Sequence, residues 1–339
     1  MSPADRTDPE TMSRLTNPRE DIPLIVGVMA VLVIPALLTF LTIDSLPGEI
    51  PPTENPTPFG YTVSLSLFLL PVLALLWWHQ KHPKHHVDQR ALAGSALLIF
   101  LLGVILDSVF GYTFFTFENP GATVGLRLPS WDFETWRPVW GYLPIEEFGF
   151  YIFGGFFLIG SYLFADQTWL PDYAPEHREE KAREHHKLIH FSPVVAVVFV
   201  VLLAAGIAYK WYGPHEHNEG LPDYFIFIMV LGFLPSSLVF RSLKEFVNWR
   251  AFALSYFILL LVSLLWEGTM GVPYDWWNYR PEAMMGIWIP PWGNLPLEAV
   301  LLWIVCAWAS VFAYEFLRVY HHMDRPIRHK LTGRPDGDD

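Results

Sequence analysis

The chain has 339 residues, of which 52% are hydrophobic, 16% aromatic and only 17% charged, a departure from the soluble average that marks an integral membrane protein. Its single cysteine, Cys306, lies in an apolar segment, which excludes an intramolecular disulfide and a cysteine-built metal site. The formal net charge of −12 sits largely in tails and loops and disfavours nucleic acid as a partner.

In chain order, residues 1–21 form a polar tail that mixes acids with arginines, unlike the basic n-region of a cleavable signal peptide. A helix crossing the hydrocarbon core needs about 20 mostly apolar residues. Eight segments qualify: 22–43, 59–78, 91–112, 143–164, 190–210, 222–240, 251–271 and 295–317. With the N-terminus inside, eighteen Lys and Arg residues fall on the cytoplasmic side and only Arg127, Arg137, Lys210 and Arg280 outside, as the positive-inside rule requires. The expectation is a multi-pass protein of the cell inner membrane with both termini cytoplasmic.

The chain repeats itself. "QRALAGSALLIFLLGVILD", ending at Asp107, aligns without a gap to "WRAFALSYFILLLVSLLWE", ending at Glu267. Downstream, "GYLPIEEFGFYIF" meets "GNLPLEAVLLWIV", placing Pro144 over Pro296, Glu146 over Glu298 and Glu147 over Ala299. Pro71 likewise answers Pro235. The expected fold is all-α: eight transmembrane helices in two parallel-oriented four-helix repeats, with a site at their seam. The first half covers 22–164, a cytoplasmic linker 165–189, the second half 190–317 and a cytoplasmic tail 318–339.

In both halves the third span ends on an acid, Asp107 or Glu267, and the fourth begins on the same side with Pro-x-Glu. Proline suits a first helical turn and a glutamate suits the positive end of the helix dipole, so one reading makes these acids helix stabilisers. The other makes them functional, the usual meaning of an acid at membrane depth. Successive helical residues point about 100° apart, so Glu146 and Glu147 diverge. Two such carboxyls in a dry cavity resist double ionisation, and differing environments separate proton donor from proton acceptor.

The connections after the third spans are rich in aromatic residues, among them Trp131, Trp136, Trp140, Trp276, Trp277, Trp288 and Trp292. They suit an interfacial aromatic belt. As a group they also suit cation stabilisation by ring faces, so that acids and tryptophans together could generate and hold a carbocation.

The half-motifs "YDWWNYRPEAMMGIWIPPWGNLPLEAVLLW" and "WRPVWGYLPIEEFGFYIF" resemble the lycopene cyclase domain of the heterodimeric carotenoid cyclases, in the form where both subunits are fused. The resemblance spans nearly the whole membrane region. It implies a non-redox isomerisation of a linear polyene without metal or cofactor: protonation of the terminal double bond, ring closure through a cation, and proton loss to give a β-ionone ring. The implied partners are lycopene or a related carotenoid and membrane lipids, with homo-oligomerisation left open. The acidic motif falls on Pro144, Glu146 and Glu147, then on Pro296 and Glu298. The chain departs from the pattern at Ala299, where a second acid is usual. The resulting expectation is a proton supplied through Glu146 or Glu147 and held or returned by Glu298 with Asp107 or Glu267. Trp140, Trp277, Trp288 and Trp292, with Asp275 and Asn278, are the substrate-facing candidates.

Two rival functions remain. Eleven of thirteen histidines fall on the cytoplasmic side, including His79, His82, His85, His86, His185, His186 and His190. Clustered imidazoles suit iron, as in a membrane di-iron hydroxylase or desaturase, although a proline interrupts the first cluster. Parallel repeats with intramembrane acids also describe transporters, whose sites lie nearer the midplane.

Overall fold

The computed structural model describes residues 58–81, 87–171, 175–214, 216 and 218–333. Within them seven helices are long and apolar enough to span a membrane. They are α1 (Gly60–Lys81), α2 (Gln89–Phe114), α3 (Glu146–Trp169), α4 (Pro193–Tyr212), α5 (Asp223–Leu243), α6 (Trp249–Gly271) and α7 (Leu297–His322). The expected first span, 22–43, lies outside the described residues. The others fall where the apolar runs place them, with α3 and α7 running about five residues further at their C-terminal ends than expected.

Local chemistry explains the helix ends. Asp88 caps α2 by accepting the N–H groups of Arg90 and Ala91, both at 2.9 Å. Asn248 caps α6 in the same way, through Arg250 and Ala251 at 3.1 and 3.2 Å. Each cap satisfies donors that a helix start leaves unpaired. Both helices widen into a π turn, Leu106–Phe110 one turn before the end of α2 and Glu267–Gly271 at the end of α6. Such turns are rare and cluster at functional sites; here each carries the terminal acid, Asp107 or Glu267.

The fourth spans begin differently from the expectation. Pro144 closes a strand and α3 starts at Glu146; Pro296 likewise lies in a strand, preceding α7 at Leu297. The prolines therefore end extended segments instead of opening the first helical turns. The aromatic connections also contain strands that a purely helical reading missed. β2 (Arg127–Asp132) pairs antiparallel with β3 (Arg137–Pro144), after the short β1 (Phe115–Thr116). β4 (Asn278–Tyr279) precedes the antiparallel pair β5 (Trp288–Ile289) and β6 (Leu295–Pro296). The two hairpins are built alike at their bases, where Arg127 faces Pro144 and Trp288 faces Pro296. β1 pairs antiparallel with β4, Phe115 opposite Tyr279, which ties the two aromatic connections together.

Helices α1 and α2 pack on α3, and α5 and α6 pack on α7, while α7 meets α2 and α3, and α6 meets α3. A single apolar core runs through all of these contacts. Helix α4 packs on α5 and leaves Val194, Val197, Val200 and Val201 exposed, a surface that suits lipid better than water.

At the end away from the acids, a buried polar clasp joins the chain's segments. Arg178, on a short helix Pro175–Glu184, donates to both carboxylate oxygens of Asp166, one at 2.6 Å. Asn248 Nδ2 donates to the same carboxylate at 2.7 Å, and Tyr162 donates to Glu315 at 2.8 Å. Arg318 pairs with Glu315. The segment between α3 and α4 is thus docked by its own arginine.

Candidate functional site

The five acids singled out from the sequence are all buried at one end of the helix assembly, but they do two different things. Glu146 and Glu298 hold loops. Glu146 Oε1 accepts the backbone N–H of Val124 at 2.7 Å and the Thr62 hydroxyl at 2.5 Å. Glu298 Oε1 accepts the N–H of Met285 at 2.5 Å. Val124 and Met285 each precede a glycine of positive φ, Gly125 and Gly286, a backbone shape that glycine adopts without strain. Beyond those glycines, Ile145 donates to Leu126 O and Leu297 to Ile287 O, at 2.9 and 2.8 Å. Each glutamate therefore pins the loop that closes against its own helix start.

Glu147 and Glu267 face a common cavity of about 40 Å³, lined also by Tyr61, Tyr151, Tyr224, Trp266, Trp277, Tyr279 and Trp303. The one-residue step from Glu146 to Glu147 turns the side chain away from the loop and onto the Tyr61 hydroxyl, 2.5 Å from Oε1. Glu267 accepts two hydrogen bonds, from Trp303 Nε1 at 2.5 Å and from Tyr279 Oη at 2.7 Å. Burial, with Glu267 beside it, pushes the Tyr279 hydroxyl well above its ordinary range, so it remains a donor. The Asp107 carboxyl lies against Tyr151 and in the electrostatic field of Glu147. Neither of its oxygens has a hydrogen bond of good geometry among the described residues.

The cavity lies where α1, α3, α5, α6 and α7 converge, and among the described residues no arginine, lysine or histidine lines it. Aromatic rings close it tightly. Trp266 and Trp277 stand 4.4 Å apart between centroids, Tyr61 is 4.9 Å from Trp277, and Phe150 is 5.3 Å from Trp266. Carboxyls that give and take protons, surrounded by ring faces that attract a cation, form an arrangement suited to acid–base chemistry on an apolar molecule.

Of the tryptophans expected to face substrate, Trp277 lines this cavity. Trp140 is 77% exposed on β3, outside it. Trp288 lies in β5, and Trp292 packs near Gly268. Asp275 and Asn278 bond to one another at 3.3 Å, and the Asp275 carbonyl receives the Asn119 N–H at 3.1 Å, which stitches the two aromatic connections. The structure adds residues that the sequence reading passed over. Lys210 is completely buried and donates to the carbonyls of Glu282 and Met284 at 3.0 and 2.8 Å, fixing the loop that presents Met285 to Glu298. Tyr151 and Trp303 occupy aligned positions of the two Pro-x-Glu segments, and each faces the acid ending a third span. That alignment carried the signal that could have found them.

Among the described residues no three His, Cys, Asp or Glu side chains converge as a ligand set for metal; His82, His85 and His86 lie outside the described residues. No protein family, curated protein or solved structure matches the chain.

Proposed function

We propose that this chain is a lycopene-cyclase-like membrane isomerase that closes a ring at the end of a linear polyene by proton transfer alone. The observation that carries the reading is the cavity shared by Glu147 and Glu267, buried among Tyr61, Tyr279, Trp266, Trp277 and Trp303. Glu147 gives its carboxyl proton to the terminal C=C. The cation so formed is attacked by a nearby C=C, making the ring C–C bond. A carbon next to the new cation then gives up a proton to the Glu267 carboxylate and its C–H electron pair restores a double bond, so the substrate's formula is conserved. Glu267, which accepts two hydrogen bonds, is suited to the ionised partner that steadies the cation. To admit one end-group of a polyene the aromatic rings around this cavity of about 40 Å³ must part, and the remaining chain would lie between apolar helices.

The same reading favours eight spans with residues 22–43 as the first, two parallel four-helix halves, and cytoplasmic termini in the cell inner membrane. The matched caps, π turns and hairpin bases support the duplication. The deciding experiment is pigment analysis of a host that accumulates the acyclic carotenoid and expresses the chain. Conversion to a cyclic isomer of unchanged mass, with one solvent deuterium gained when the reaction runs in heavy water, supports the proposal. Unchanged pigment in the presence of correctly inserted protein defeats it.

A further inference from the structure

A second cavity, of about 450 Å³, lies at the end of the helices opposite the one shared by Glu147 and Glu267, where the start of α2 packs on the end of α7. That is the size of a small-ligand site. Its lining mixes charges of both signs, Arg90, Arg318, His321 and His322 with Asp88 and Glu179. Several of these are already engaged. Asp88 caps α2 with one oxygen and faces His321 at 3.1 Å with the other, and Arg318 pairs with Glu315.

Two charges are left over. The Arg90 side chain is exposed and forms no ion pair among the described residues. Glu179 meets Arg183 at 3.8 Å in an exposed i,i+4 pair, an arrangement worth little. The cavity thus offers one free cation and one weakly held carboxylate, a set that suits a ligand carrying both an anion and a cation. It also adjoins an apolar surface. Around α2, Arg90 shares a face with Leu97 and Leu101, within about 20° of each at 100° per residue, and both leucines are exposed among the described residues. Leu97 lies about 10 Å further along the helix, so a molecule with its head in the cavity would lay its tail on that stripe.

We propose that this cavity binds the headgroup of a phospholipid that joins a phosphate diester to a primary ammonium, as phosphatidylethanolamine does. The Arg90 guanidinium donates to the phosphate oxygens, which its planar fork matches, and the ammonium donates to the Glu179 carboxylate. Charge-assisted hydrogen bonds of this kind are the strong ones. A trimethylammonium headgroup has no N–H to give Glu179, and a glycerol headgroup has no cation at all. Charged pockets between membrane helices are where lipid headgroups are read. The bound lipid ties the start of α2 to the helix Pro175–Glu184, the segment that Arg178 docks.

The test is native mass spectrometry of the full-length, delipidated protein titrated with dioleoyl phosphatidylethanolamine, phosphatidylcholine and phosphatidylglycerol. Wild type should bind the ethanolamine lipid about tenfold more tightly than either of the others, the worth of about one charge-assisted hydrogen bond. Glu179→Gln should bring the ethanolamine lipid down to the choline level without weakening phosphatidylglycerol, whereas Arg90→Gln should weaken all three. Neither residue belongs to the buried core, so both variants are expected to unfold near the wild-type temperature. Soluble glycerophosphoethanolamine in excess should not displace the lipid, because it lacks the acyl chains that lie on Leu97 and Leu101. Equal affinity of wild type for the three lipids, or an ethanolamine preference that survives Glu179→Gln, would overturn the proposal. Displacement by the soluble headgroup would give the cavity to a water-soluble phosphoamine and overturn the lipid assignment.

Discussion

Glu298 Oε1 accepts the backbone N–H of Met285 at 2.5 Å, one residue before Gly286 with its φ of +100°. Glu146 makes the matching bond to Val124 before Gly125. Both bonds need an acceptor oxygen, not a charge. Glu146→Gln and Glu298→Gln are therefore expected to keep most of the turnover and nearly the wild-type unfolding temperature, since a carboxamide still presents an oxygen. The alanine variants, which leave a buried N–H unpaired, should lose about 1–3 kcal/mol. Unfolding in detergent and conversion assays on all four variants measure this. A glutamine variant that is stable but inactive would return that glutamate to the chemistry.

Glu147 makes no such loop contact, and among the described residues its carboxylate accepts from the Tyr61 hydroxyl. Glu147→Gln cannot give up a proton, so turnover should fall about 10²–10⁴-fold with little change in stability. Tyr61→Phe should lose less, because the carboxyl remains but is no longer aimed. Equal losses in the two variants would mean that Tyr61 itself handles the proton.

The sequence alone displayed the seven apolar helices of the described residues, because apolar length is written residue by residue. It did not display the division of labour among the acids. Glu146 and Glu298 align, and both reveal their loop-holding role only once Val124 and Met285 fold back onto them across 22 and 13 residues. Trp140 and Trp277 look alike in an aromatic connection, yet a hairpin carries one to the surface and a turn buries the other. The strands escaped notice because they are short and sit in Pro- and Gly-rich segments with little alternation.

Glu267 holds two donors on separate oxygens, Trp303 on Oε1 and Tyr279 on Oε2. Glutamine can keep both contacts by turning its oxygen to Trp303, whose indole only donates, and its amide to Tyr279, whose hydroxyl then accepts. Glu267→Gln is therefore expected to stay within about 1 kcal/mol of wild type, whereas Glu267→Leu, which leaves the buried Trp303 N–H unpaired, should lose about 1–3 kcal/mol. Unfolding of the two variants measures this, and equal stability would count against the two-donor geometry.

Asp88 couples a helix cap to pH. Burial alone would raise its pKa, but the Ala91 N–H and then His321 lower it below the ordinary carboxylate value. His321 Nδ1 stands 3.1 Å from Asp88 Oδ2. A depressed folded-state pKa gives stability that is present above the unfolded value of about 4 and lost as pH falls through the folded value. Asp88→Asn keeps a good cap without the charge. Unfolding temperature measured from about pH 6 down to pH 3 should therefore fall more steeply for wild type than for Asp88→Asn. Parallel curves would remove Asp88 from the acid response.

Orientation can be read from two exposed acids at opposite ends of the helices, Glu282 beside the Lys210-pinned loop and Glu184 at the end of the linker helix. Cys306 is the single native cysteine, so Cys306→Ala gives a background free of thiols. In that background a membrane-impermeant maleimide applied to intact spheroplasts should label Glu282→Cys and spare Glu184→Cys, with both reacting after permeabilisation. The excess of Lys and Arg at the Glu184 end is the ground for this expectation, because cationic loops tend to be retained on the cytoplasmic side. The reverse pattern would place the cavity of Glu147 and Glu267 near the cytoplasmic face, and the proton that restarts each cycle would then come from the cytoplasmic side.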